Sequence, residues 1–240
     1  DRAKFAGGDI NPGYAVEAGA LRHPLAQNVL SLRSGLAWFA VWYVLALVGA
    51  YLINPPIVLV VLLAAILEVV YCALLKVTYW RTLVSGLVKS CGPVAAVFVV
   101  QPAPSLPLLA LMVAWIMLWE IGGQNIPADW NDIEEDRRIG ARTIPLVLGP
   151  DRAGWLVVAS LALVVVIGWF LPVMSPLELG PAYPLLAALA GLALLVWPGV
   201  CLLRTGASRQ AAQLFNRASH YPLVQLALMT VFVGYAKLWA

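Results

Sequence analysis

The chain has 240 residues, 62% of them hydrophobic and only 11% charged, with a mean hydropathy of +0.87. A soluble domain carries roughly 45–50% apolar residues, so this composition excludes one and indicates a polytopic membrane protein, read as one all-α transmembrane domain over 1–240. The net charge of +3 and pI near 8.9 do not indicate nucleic acid, because the bases form no soluble patch with interleaved aromatics.

Residues 1–33 are mixed and polar, with Gly7-Gly8 and Asn11-Pro12-Gly13 as turn signals and Arg22-His23-Pro24 ahead of a helix start. With no initiator Met, no signal peptide and no apolar run before residue 34, the sequence reads as a piece of something longer. Seven apolar segments follow, at about 34–53, 56–75, 83–101, 106–122, 153–171, 184–203 and 221–238. Cys72, Cys91 and Cys201 lie in or beside them without metal-ligand spacing and read as small core residues.

Counting alternately through the seven spans, one side receives 1–33, 76–82, 123–152 and 204–220. Fourteen of the fifteen Lys and Arg residues fall on that side or within about two turns of it. The positive-inside rule makes it cytoplasmic, which predicts a multi-pass protein of the cell membrane. The other side has prolines for short turns and, as its only charges, Glu178 and Lys237. Glu68, Lys89 and Glu120 sit deeper than a loop explains, and an intramembrane charge costs roughly 2.5–3.5 kcal/mol on insertion scales. Each is expected to face a polar cavity or a partner, although snorkelling to the interface is an alternative for Lys76 and, less well, for Lys89.

The stretch NIPADWNDIEEDRRIGARTIPLVLG, residues 125–149, holds five of the twelve acids. Asn125, Asp129, Asp132 and Asp136 follow at spacings of four, three and four, so a continuous helix puts all four on one face. Carboxylates and an amide oxygen are hard ligands suited to Mg²⁺, which keeps several waters and is completed by substrate phosphates. Arg137, Arg138 and Arg142 offer charge-assisted bonds to phosphate oxygens. The plainer alternative is a solvated connector between membrane helices.

With these residues in view, the chain resembles the UbiA superfamily of intramembrane prenyltransferases. DIEEDRRIGARTIPLVLG, 132–149, is similar to that family's second aspartate motif, with Asn125 at the family's upstream Asn/Asp position. Tyr71 and Lys76 in YCALLK resemble the Tyr and Lys of its central cytoplasmic loop. RHPLAQNVLSLR, 22–33, resembles its Arg-Pro-Leu segment, with Asn28 where Gly is customary, and LFNRASHYPL, 214–223, resembles the start of its last helix. The resemblance implies nine transmembrane helices, two of them before Asp1. It places the family's first aspartate motif at the end of the second of these, where Phe5 stands in place of an acid.

It further implies Mg²⁺-dependent transfer of an isoprenyl group from a prenyl diphosphate to an aromatic, quinone-precursor acceptor or another lipid-pathway acceptor within the bilayer. The implied metal residues are Asp132 and Asp136, supported by Asn125 and Asp129. Lys76, Arg137 and Arg142 are implied to meet the diphosphate, with Tyr71, Arg22, Arg81 and Lys89 as further substrate-binding candidates. Competing readings are a cation-coupled transporter, which needs acids spread through the membrane depth, and a CDP-alcohol phosphotransferase, whose DGxxAR pattern is missing.

Overall fold

The structure, a computed structural model, describes residues 29–174 and 179–238. Arg22, the remaining residues of 1–28, and Glu178 lie outside the described residues. As expected, the protein is all-α, and no strand occurs among the described residues.

Helix α1 (Leu32–Ile53) begins where the Ser34 N–H donates to Ser31 Oγ at 3.1 Å, an N-cap that satisfies one orphan donor. It ends at Asn54, whose Nδ2 donates to the Phe98 carbonyl at 2.8 Å and ties this end to α3. Helix α2 (Pro56–Ala73) opens on a proline, which lacks the N–H that a first turn leaves unpaired, and tightens into a 3-10 turn at Leu74–Lys76. Helix α3 spans Arg81–Val100, and α4 (Leu106–Trp119) runs through a π turn, Glu120–Asn125, into α5 (Ile126–Asn131). Two short helices, α6 (Ile133–Ile139) and α7 (Ile144–Leu148), precede α8 (Pro150–Phe170). Helix α9 (Ala182–Gly191) continues through a second π turn, Leu192–Val196, into α10 (Trp197–Thr205), and α11 spans Ser208–Leu238.

Six of these stretches are long and apolar enough to cross a membrane, and they coincide with the first six expected segments. The protein is a multi-pass membrane protein. The seventh expected segment is the C-terminal part of α11, a helix of 31 residues that starts on the polar run from Ser208 to His220. The fourth segment is longer than expected: helix continues from Leu106 to Asn131, 26 residues. At 1.5 Å per residue that is roughly 39 Å against a hydrocarbon core of roughly 30 Å, so the helix tilts or its end projects beyond the apolar layer.

That long helix is held by donors reaching out of the apolar interior. Trp115 Nε1 donates to the Val164 carbonyl of α8 at 3.0 Å, Trp119 Nε1 to Ala218 of α11 at 3.0 Å, and Trp130 Nε1 to Gly206 at 3.2 Å. Such bonds between membrane helices contribute about 0.6–2 kcal/mol each. Around them Val157, Leu161 and Val164 of α8 pack with Ile126, Leu195, Leu202 and Leu214 in a fully buried core. Helix α1 differs, with Trp38, Phe39, Trp42 and Leu45 all more than half exposed. Lipid tails solvate such a helix as well as protein does.

A close crossing lies at the first π turn, Glu120–Asn125. A Cβ on Gly122 would stand 2.9 Å from Ser160 Cβ and 3.1 Å from the Val157 carbonyl oxygen, and one on Gly123 would stand 2.9 Å from Ala218 Cβ. Only hydrogen fits on either side, so the turn is wedged between α8 and α11. Gly122→Ala should therefore cost about 1–3 kcal/mol by overpacking. Gly49→Ala in α1, where an added Cβ meets nothing within 4 Å, should gain about 0.5–1 kcal/mol instead. Thermal unfolding of the two variants in detergent checks this, and equal midpoints would show that the crossing has slack.

Candidate functional site

The wedged π turn aims two polar side chains at α3. Glu120 and Asn125 are five residues apart, which in a regular α-helix separates them by about 140° around the axis. Hydrogen bonding from i to i+5 brings them back over one another instead. Both therefore reach Ser85 of α3: its hydroxyl donates to Glu120 Oε1 at 2.8 Å, and Asn125 Nδ2 approaches its oxygen at 3.4 Å. Asn125 Nδ2 also donates to the Tyr71 hydroxyl of α2 at 3.2 Å. All three of Ser85, Glu120 and Asn125 are buried.

One turn before Ser85, Arg81 donates through an NH2 group to Asp129 Oδ1 at 2.8 Å, with both side chains over 90% buried. The same guanidinium lies 4.7 Å from the centroid of the Tyr71 ring, a cation–π contact. Tyr71, Arg81, Ser85, Glu120, Asn125 and Asp129 thus form one polar cluster joining α2, α3, the π turn and α5. The sequence reading placed Arg81 toward a diphosphate and Asp129 toward a metal; the structure brings the two together as an ion pair.

The acid-bearing helix does not continue as one piece. At Asp132 the backbone departs from helical values, with φ −96° and ψ 13°, and α6 begins there as a separate helix. The single four-residue face expected from the spacing is therefore two pairs: Asn125 with Asp129 on one side of the break, and Asp132 with Asp136 on the other. Asp136 N–H donates to the Asp132 carbonyl at 2.8 Å, so the second pair stands one turn apart on one helix face, with Asp136 buried and Asp132 half-buried. Gly140, at φ +70°, then closes α6. Its N–H reaches the Arg137 carbonyl at 3.2 Å while Ala141 N–H reaches Asp136 at 2.9 Å, a Schellman arrangement whose left-handed position suits glycine.

The chain so turned delivers the Arg142 N–H to the Leu75 carbonyl at 2.8 Å. That bond sets the connector against the turn that carries Lys76. Both side chains are exposed. Arg137 instead pairs with Glu134 at 3.0 Å and Arg138 with Glu135 at 3.3 Å, with both arginines more than half exposed. Lys89 continues the Arg81–Ser85 stripe by one more turn and is exposed, and among the described residues it makes no ion pair. Arg22 is outside the described residues. Ser85 is the residue that sequence reasoning missed; its signal was a hydroxyl four residues after Arg81 in an apolar span.

Among the described residues, no three His, Cys, Asp or Glu side chains converge as a self-sufficient metal cage. The donor chemistry nevertheless fits a hard divalent cation. Asn125 Oδ1 is buried without a hydrogen-bond partner, and Mg²⁺-type sites take only one or two carboxylates before substrate phosphates and water complete them.

The fold and this cluster define a multi-pass membrane protein with a buried polar site at one end of its helices, under a connector rich in aspartate and arginine. The chain belongs to the UbiA prenyltransferase family, whose pattern it matches over residues 9–221. It is 25% identical over 179 residues to the digeranylgeranylglyceryl phosphate synthase of Pyrococcus horikoshii, an alignment covering 73% of this chain and 63% of that protein. It therefore spans less than two thirds of that relative's length. The apo structure of a UbiA homolog from Aeropyrum pernix K1 shares the fold, with a TM-score of 0.61 at 22% identity, covering 86% of this chain and 77% of the other.

The buried ion pair yields a stability prediction. Asp129→Ala leaves Arg81 buried without its carboxylate and should cost about 3–5 kcal/mol, whereas replacing both partners by leucine should cost far less. Unfolding titrations in detergent–denaturant mixtures compare the two. A double variant weaker than the single one would mean that the pair contributes net stability.

Proposed function

We propose that the protein transfers an isoprenyl group from a prenyl diphosphate to an apolar acceptor within the bilayer, with Mg²⁺ as cofactor and the site on the cytoplasmic side. The acceptor is an aromatic quinone precursor or another lipid-pathway molecule; the name of the Pyrococcus horikoshii relative, a synthase of a phosphate lipid bearing two geranylgeranyl groups, favours the latter. The observation that carries the reading is the 2.8 Å bond from the Arg142 N–H to the Leu75 carbonyl. It holds the turn that carries Lys76 against the connector that carries the aspartates, which supports a site in which acids and bases serve one diphosphate.

In this reading Asp132 and Asp136, with the Asn125 oxygen, hold the metal. Bound Mg²⁺ supplies positive charge that stabilises the diphosphate as it leaves. Lys76 and Arg142 neutralise the remaining phosphate charge, and Arg137 and Lys89 take lesser parts. The Tyr71 hydroxyl accepts from Asn125 and has its own proton to donate to a substrate oxygen. Arg81 holds Asp129 and the Tyr71 ring in place. The prenyl chain lies among the apolar helices, where each buried methylene contributes about 0.8 kcal/mol. The same apolar walls keep water from the allylic cation that forms as the C–O bond breaks.

The test is binding of a non-hydrolysable prenyl diphosphate analogue, with and without Mg²⁺. Binding is expected to need the metal and to be lost in the Asp132→Ala, Asp136→Ala double variant; unchanged affinity in that variant sinks the metal assignment. A second comparison grades the bases. Lys76→Gln and Arg142→Gln should each weaken binding about tenfold or more, as loss of a hydrogen bond to a charged group does. Arg137→Gln, which starts from an exposed pair, should stay within about fivefold. Equal losses from all three would remove the distinction.

A further inference from the structure

Glu120 is a buried acid that the reaction outlined above does not use. It belongs to the π turn and touches Ser85, and neither residue lies in the aspartate connector. The Ser85 hydroxyl donates to Glu120 Oε1 at 2.8 Å, the carboxyl oxygen accepting. With its proton so committed, Ser85 can offer Asn125 only a lone pair. The Asn125 amide must then turn its NH₂ toward Ser85, at 3.4 Å, and toward the Tyr71 hydroxyl, at 3.2 Å. Its oxygen is left pointing the other way, buried and without a hydrogen-bond partner.

We propose that Glu120, acting through Ser85, is a positioning residue that sets which end of the Asn125 amide faces the site and so makes Asn125 an oxygen ligand for a divalent cation. The inference rests on the reading of the site as one that binds a metal–diphosphate. It goes further by assigning a role to two residues outside the aspartate motif. The direction of the chain of bonds is the substance of the proposal: a carboxyl oxygen at 120 that takes the proton of the hydroxyl at 85 favours the amide orientation with NH₂ toward Ser85 and opposes its flip. The π turn is what makes the chain possible, since it brings residues 120 and 125 to the same serine.

The test measures calorimetric binding of Mg²⁺ with inorganic pyrophosphate to the full chain in detergent, which requires no turnover. Glu120→Gln keeps the shape but can donate to Ser85, freeing the amide to flip, and should weaken metal-dependent pyrophosphate binding about 10–100-fold, as loss of an outer-shell partner does. Ser85→Ala removes the relay with a smaller change and should give a loss of the same order. Asn125→Asp added to Glu120→Gln moves the carboxylate to a residue with oxygen at both ends, so orientation no longer matters. This double variant should recover binding to within about threefold of the unmodified chain, a rescue that a merely structural role would not produce. Unchanged binding in both Glu120→Gln and Ser85→Ala, or loss without rescue, overturns the proposal while leaving the metal–diphosphate site standing. Absence of metal-dependent binding by the unmodified chain overturns that site reading itself, and the role of Glu120 with it.

Discussion

Everything at the polar end depends on how closely one helix can be pressed between two others. Gly122 and Gly123 let the stretch from Leu106 to Asn131 touch the backbone of α8 and the Ala218 methyl of α11. Three tryptophan N–H groups then fix its height and rotation. In an apolar surrounding an unpaired donor or charge is costly, so the residues that the wedge pushes toward α2 and α3 must find partners there. They do so as a connected set, from Glu120 through Ser85, Asn125 and Tyr71 to Arg81 and Asp129. Packing at two glycines and polar satisfaction several ångströms away are thus one constraint seen from two sides.

Most of the architecture could be read from hydropathy because the bilayer leaves a chain few options. A run of about twenty apolar residues has to be helical when no water is available to its backbone, and that single rule places six spans before any packing is known. The extra length of the fourth span was not readable in the same way. Its last turns carry Asn125, Asp129 and Asn131, which lower hydropathy while continuing the helix. Nor does hydropathy report that the first half of α11 is a polar extension of a membrane helix rather than a loop.

The site was legible in composition and illegible in register. The sequence identified Asn125, Asp129, Asp132 and Asp136 as a group, but their common face assumed a uniform 100° per residue. The non-helical backbone at Asp132 breaks that assumption, and a second departure, the π turn ending at Asn125, adds Glu120 to the group. Neither has a strong sequence signature beyond the Gly-Gly pair, whose role depends on neighbours from α8 and α11 that are distant in the chain. The pairing of Arg81 with Asp129, 48 residues apart, is likewise a property of helix packing rather than of either motif.

Once those partners are known, the charge of the polar end reads differently from the sequence. Arg81 is neutralised inside the protein by Asp129, and Arg137 and Arg138 are matched at the surface by Glu134 and Glu135 at three-residue spacing. What looked like a dense field of mixed charge resolves into such pairs, two acids one turn apart at Asp132 and Asp136, and two exposed bases, Lys76 and Arg142, where two connectors meet. An internally paired charge changes little when an anion arrives, because its field is already largely cancelled and its desolvation already met. An exposed base on a backbone held in place by hydrogen bonding keeps its full attraction for phosphate at a small cost in ordering. The fold therefore does more than collect charged residues at one end. By closing some of them on each other it leaves two exposed bases, Lys76 and Arg142, on connectors that one backbone hydrogen bond joins.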